Sequence, residues 1–137
     1  RYGVPADAWV ILHVGHLNPQ RGIANLAAVA DLAYPLLVTS TSTAQDQALA
    51  DELRRAGVHL ITRYLENVRE LYQLADVYLF PVPPNPTGPS SIDLPLSVLE
   101  ALACNLPLLT TRFGALPDVW PDQAGIAFYD DVAGLRA

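Results

Sequence analysis

The stretch "DVYLFPVPPNPTGPSSIDLPLSVLEALACNLPLLTT" (Asp76–Thr111) decides the architecture. It opens on "DVYLFPV" and closes on "PLLTT", two apolar runs with the composition of strands buried on both faces. Between them, "LSVLEALAC" is rich in Leu and Ala with a single Glu, the composition of a helix. Strand, helix and strand in that order imply a parallel sheet covered on both faces. The proline-, glycine- and serine-rich segment after the first run is more elaborate than a connector needs. A ligand site at the carboxyl end of a strand does need such a segment.

The same alternation extends in both directions. Upstream, "WVILHVG" (Trp9–Gly15) is a strand ending in Gly, and Ile23, Leu26, Ala27 and Ala30 then recur at helical spacing as far as "YP". "LLVTS" is the second strand. Ser42 with Gln45 has the form of a capping box, opening a helix that Gly57 closes. "VHLIT" is the third strand, and Asn67 with Glu70 is expected to cap a helix carrying Val68, Leu71, Tyr72 and Ala75. Downstream, "GIAFY" makes a sixth strand. The expectation is one α/β domain over residues 1–137, with a mostly parallel six-stranded sheet.

Composition narrows the chemistry. The net charge of −6 argues against a nucleic-acid partner or an anionic membrane surface. No apolar run approaches the roughly 20 residues of a membrane span, and no signal peptide is evident. All 8 basic residues are Arg, so a Walker phosphate loop and Schiff-base or lysine-base chemistry are excluded. A single cysteine, Cys104, leaves no disulfide framework, and a cytoplasmic setting is the simple expectation. With no Met and a start at Arg1, the chain is expected to be a piece of a longer protein.

The loops that follow Gly15, Thr62, Phe80 and Thr111 fall where such sheets bind ligands. In "VGHLNPQRG", Gly15 allows close backbone approach, and Arg21 stands at the expected start of a helix, where amides and dipole favour an anion. Arg21 is therefore either a phosphate clamp, with His16 beside it, or a solvated charge. His13, His16 and His59 lack nearby carboxylates in sequence, and no metal site is read from them. Glu100, among Leu96, Val98, Leu99, Leu102 and Ala103, needs a partner or ligand if it points inward and none if it points out. Asp93 is placed to cap the helix that follows, beside the presumed cleft. Cys104 reads as a small core residue rather than a nucleophile.

Taken together, "VGHLNPQRG", "LYQLADVYLFP", "LPLSVLEALACNLPLLTT" and "RFGALPDV" resemble, in this order, the donor-binding domain of GT-B-fold retaining glycosyltransferases of the family 4 type. The resemblance covers nearly the whole chain. It implies a Rossmann-like three-layer α/β/α fold, one half of a GT-B enzyme, that binds a UDP- or GDP-sugar for hexosyl transfer without a catalytic metal or other cofactor. The acceptor domain would be missing, "RYGVP" being the link to it, and any membrane association would come through that missing part. By the same resemblance Arg21 holds the donor diphosphate, with Gly15 and His16 beside it, and the amides of Leu96 and Ser97 meet the phosphates. Glu100 bonds the ribose, and Arg63 and Tyr64 lie in the base-contacting loop. The family's sugar-binding Glu falls on Ile92, so Asp93, one position later, is expected to take that role. Pro95 replaces a Gly, His16 an Arg and Ala115 a Gly. Two alternatives follow from these departures and from the shared fold: a nucleotide-binding module without catalysis, and a nucleotide-sugar epimerase-like domain.

Overall fold

Alternation along the strands builds two cores, one on each face of a parallel sheet. The computed structural model describes residues 2–39, 47–84, 94–121 and 125–137. Strands β1 (Val10–Val14), β2 (Tyr34–Val38), β3 (His59–Ile61), β4 (Val77–Phe80), β5 (Leu108–Thr110) and β6 (Ile126–Phe128) lie in the order β3-β2-β1-β4-β5-β6. Every pair is parallel, so the expected mostly parallel sheet is parallel throughout. The helices are α1 (Ala24–Ala27), α2 (Gln47–Arg55), α3 (Arg69–Leu74), α4 (Leu96–Ala103), α5 (Leu116–Val119) and α6 (Val132–Arg136).

Side chains on successive strand residues point to opposite faces. Val10, Leu12, Leu36, Val38, Tyr78 and Phe80 pack with Leu71 and Tyr72 of α3 and with Val98 and Ala101 of α4. Their neighbours Ile11, Leu37 and Leu79 pack on the other side with Leu26 of α1, Leu53 of α2 and Leu135 of α6. The result is the three-layer α/β/α arrangement.

Several boundaries depart from the sequence pattern, each for an identifiable reason. "YP" begins β2 instead of ending the preceding helix. The Tyr34 N–H donates to Trp9 O at 2.7 Å, which turns Pro35 towards β3. Because β3 joins only from Leu36, the donor that Pro35 lacks is not called upon. After β1, true α-helix is limited to four residues, and the chain continues to Leu32 in turns bonded three residues back, such as Val29 N–H to Leu26 O. Ile23, Leu26 and Val29 still reach the core. At α3 the cap position is held by Val68 with no side-chain bond, and Glu70 accepts from the Tyr2 hydroxyl at 2.5 Å instead of capping.

The expected end of α2 fits. Gly57, at φ 99°, ends α2, and Asn105, at φ 58°, ends α4 in the left-handed conformation that Asn tolerates better than most residues. Asp76, at the head of the "DVYLFPV" run, accepts from Val10 N–H at 2.7 Å and ties the starts of β4 and β1 together. The Ser42–Gln45 cap lies outside the described residues.

Candidate functional site

The sheet order reverses between β1 and β4, and the two strands part at their carboxyl ends. Their pairing stops at Leu12↔Tyr78, and side chains fill the widening gap. His13 is fully buried, with Nδ1 2.9 Å from Leu79 O. The Tyr78 hydroxyl lies 3.3 Å from Val14 N and 3.2 Å from Val14 O, and is also hydrogen-bonded to the Ser97 side chain at the start of α4. The two rings lie 6.0 Å apart. Side chains thus take over from the backbone ladder at the switch point, the place where such sheets bind ligands.

Burial outweighs the Leu79 contact and brings the His13 pKa down to about 4, with the nearby Arg21 charge acting in the same direction. The imidazole is therefore neutral near pH 7. With Nδ1–H donating to Leu79 O, Nε2 is left as a buried acceptor without a partner. Burial also pushes the Tyr78 phenol up to about 12, against the pull of its bonds to Ser97 and Val14.

Arg21 is set by the loop above this gap. Asn18 Oδ1 accepts from Gln20 N–H at 2.8 Å and starts a single 3-10 turn, Pro19–Arg21, which Gly22 ends at φ 70°. Arg21 therefore closes a tight turn instead of opening α1. The turn presses on the carboxyl end of β4, since a Cβ on Gly22 would stand 2.1 Å from Pro81 O. Gly15 is closely approached as well. A Cβ on Gly15 would meet His13 Nε2 at 2.8 Å. Arg21 itself is half-buried, and its Nε is buried without a partner. Among the described residues no carboxylate forms an ion pair with it. Burial lowers its pKa, with the neighbouring Tyr78 opposing.

Two clefts open beside these residues. One, of about 290 Å³, is lined by Gly15, His16, Thr39, Arg63, Tyr64 and Val68 among others, so the loops after β1 and β3 meet in it. Thr39, at the end of β2, brings a buried hydroxyl without a partner. The other, of about 570 Å³, runs between α3 and α4 and is lined by Val68, Arg69, Tyr72, Glu100 and Cys104 among others. Val68 lines both, so the two adjoin. Glu100 points inward: its Oε2 accepts from the Tyr72 hydroxyl at 2.8 Å. Burial is the main reason that the Tyr72 pKa is raised, with Tyr78 and Glu100 adding, so this hydroxyl keeps its proton and donates.

The start of α4 completes the site. Its cap position is Pro95, whose carbonyl accepts from Val98 and Leu99 N–H. The amides of Leu96 and Ser97 stand at the head of the helix, outside its own ladder. Leu96 is exposed.

The structure thus brings Gly15, His16, Arg63 and Tyr64 into one cavity and Glu100 into its neighbour. Ser97 joins the end of β1 through Tyr78, and Arg21 lines neither cleft but lies near the same tyrosine. Asp93 lies outside the described residues. Cys104 ends α4, half-buried on the wall of the larger cleft. The three histidines occupy separate places: His16 is exposed, and His59 stacks on Tyr34 at 3.9 Å. Sequence reasoning missed Tyr78, Tyr72 and Thr39. The one signal was a hydroxyl inside an otherwise apolar run.

Comparison with known proteins adds four findings. A family model described as "Glycosyl transferases group 1" matches residues 8–137. The chain is 25% identical over 138 residues to the O-antigen chain mannosyltransferase B of Escherichia coli, covering 92% of this chain and 34% of that one. It is 28% identical over 152 residues to the D-inositol 3-phosphate glycosyltransferase of Saccharomonospora viridis, covering 97% and 32%. The chain therefore spans about a third of the length of these curated relatives. Among solved structures, the pneumococcal O-GlcNAc transferase GtfA, in complex with UDP and GlcNAc, superposes with a TM-score of 0.63 at 14% identity, over 85% of this chain and 23% of that one.

Proposed function

The chain belongs to the group 1 glycosyl transferases, and on that premise we propose that it is the donor-holding half of a two-domain enzyme whose substrate is a UDP- or GDP-sugar. Arg21 carries this reading. It is a half-buried guanidinium beside Tyr78 at the switch point, with Nε unpartnered and no carboxylate paired to it among the described residues. A cation desolvated in this way is satisfied by an anion from outside the fold.

In this proposal the diphosphate lies between Arg21 and the amides of Leu96 and Ser97, where the head of α4 also favours negative charge. The base enters the cavity of Gly15, His16, Arg63 and Tyr64, and the ribose reaches Glu100. Transfer proceeds with retention and without a catalytic metal. As the bond from sugar to phosphate breaks, charge grows on the diphosphate, and preorganised donors there lower the barrier. Asp93 takes the transferred sugar. The acceptor site belongs to the remainder of a longer chain, so this chain alone binds donor and does not turn it over.

Calorimetric titration with UDP, GDP and ADP tests the reading. One nucleotide is expected to bind selectively, and Arg21→Ala to weaken it by about 10- to 100-fold, the range for a lost charged hydrogen bond. Binding by none of the three, or unchanged binding in Arg21→Ala, would overturn it. Ile92 and Pro95, which stand where the family pattern has Glu and Gly, favour a second reading, a domain that binds nucleotide without catalysis. Asp93→Asn in the longer protein separates the two. Loss of transfer with nucleotide binding intact supports the enzyme, whereas a longer protein with no transfer activity of its own supports the module.

A further inference from the structure

Glu100 is half-buried in the middle of α4, and its side chain has three rotatable bonds, so a defined carboxylate direction needs a cause. Tyr72, on the facing helix α3, supplies one. Its ring is 2% exposed and packs on Tyr78 with centroids 5.7 Å apart, so core packing sets the position of its hydroxyl. That hydroxyl donates to Glu100 Oε2 at 2.8 Å, on the wall of the cleft that adjoins the Arg63–Tyr64 cavity. We propose that Tyr72 is a positioning residue: it anchors one oxygen of Glu100 and turns the carboxylate into a pre-oriented acceptor for the vicinal hydroxyls of a ribose.

The inference rests on the reading of Glu100 as the ribose ligand. Tyr72 occupies one lone pair of Oε2, which leaves Oε1 and the remaining lone pair of Oε2 as adjacent acceptors. Two adjacent acceptors match the 2′,3′-diol of a ribonucleotide, and a dideoxy sugar offers them nothing. Recognition of the diol is thereby assigned to a tyrosine that does not itself touch the ligand.

The test compares UDP, GDP and ADP with their 2′,3′-dideoxy counterparts by calorimetric titration. The wild-type chain is expected to prefer the ribonucleotide form of whichever base it binds. Tyr72→Phe keeps the ring, and thermal unfolding reports whether the fold is kept. The variant is expected to lose about 5- to 10-fold in affinity for the ribonucleotide, the scale of a misplaced hydrogen bond, and nothing for the dideoxy form. In a Glu100→Ala background the same substitution should change neither affinity. If Glu100→Ala collapses the ribo-to-dideoxy ratio while Tyr72→Phe leaves it intact, or if Tyr72→Phe weakens both forms equally, the positioning role is overturned and Glu100 stands. If Glu100→Ala leaves the ratio unchanged, or no nucleotide binds, the ribose reading itself falls and the role of Tyr72 with it.

Discussion

Replacing Gly22 with Ala is expected to destabilise the fold by about 4 kcal/mol or more, among the largest effects a single methyl group can have. Two costs add at this position. Its φ of 70° lies in the left-handed region, where a Cβ costs roughly 1–2 kcal/mol. The added carbon would also stand 2.1 Å from Pro81 O and 2.9 Å from Pro81 C. These are backbone atoms at the end of a central buried strand, which no rotamer change can move aside. The loop must lift away from β4, and Arg21, the preceding residue, lifts with it. Equilibrium denaturation of Gly22→Ala measures the first consequence. A variant within about 1 kcal/mol of wild type would show that the contact between the first loop and β4 is not as tight as described.

Acid is expected to destabilise the protein through His13. Its folded-state pKa of about 4 lies below the unfolded value of 6.5, because burial disfavours the charged imidazolium. Between those two values the unfolded chain binds a proton that the folded chain refuses. Stability from this residue is therefore complete above pH 6.5 and falls as the pH drops towards 4. Over the whole window the loss is about 3 kcal/mol. Glutamine at the same position retains an N–H to donate to Leu79 O and does not titrate. Denaturation midpoints followed from pH 7 to 4 should fall more steeply in wild type than in His13→Gln. Equal slopes would contradict the buried neutral histidine.

Most strands were legible because each is a short apolar run bounded by Gly, Pro or a capping residue. Where the runs begin and end was not, because pairing decides it. Pro35 is admissible in β2 only because β3 starts opposite the next residue. The carboxylate of Glu70 is drawn off by Tyr2, 68 positions away, a contact no local pattern announces. The loops that could meet at the site were legible for a topological reason: parallel strands bring all their carboxyl ends to one edge. Gly15, His16, Arg63 and Tyr64 accordingly line one cavity. Tyr72 and Tyr78 were hidden because they are core residues as well, and only their hydroxyl contacts set them apart. His13 was weighed only as a metal ligand and set aside, because its place between β1 and β4 depends on where those strands part.

In the proposed reading a nucleoside diphosphate is held at the carboxyl ends of β1, β3 and β4. Backbone amide spectra recorded during titration with UDP, GDP and ADP test it most directly. The nucleotide that binds is expected to shift the amides of Gly15, His16, Gly22, Arg63, Tyr64, Leu96 and Ser97, and to leave those of α2 and α6 in place. Shifts confined to α2 and α6 on the opposite helical layer, or no shifts with any of the three nucleotides, would contradict it.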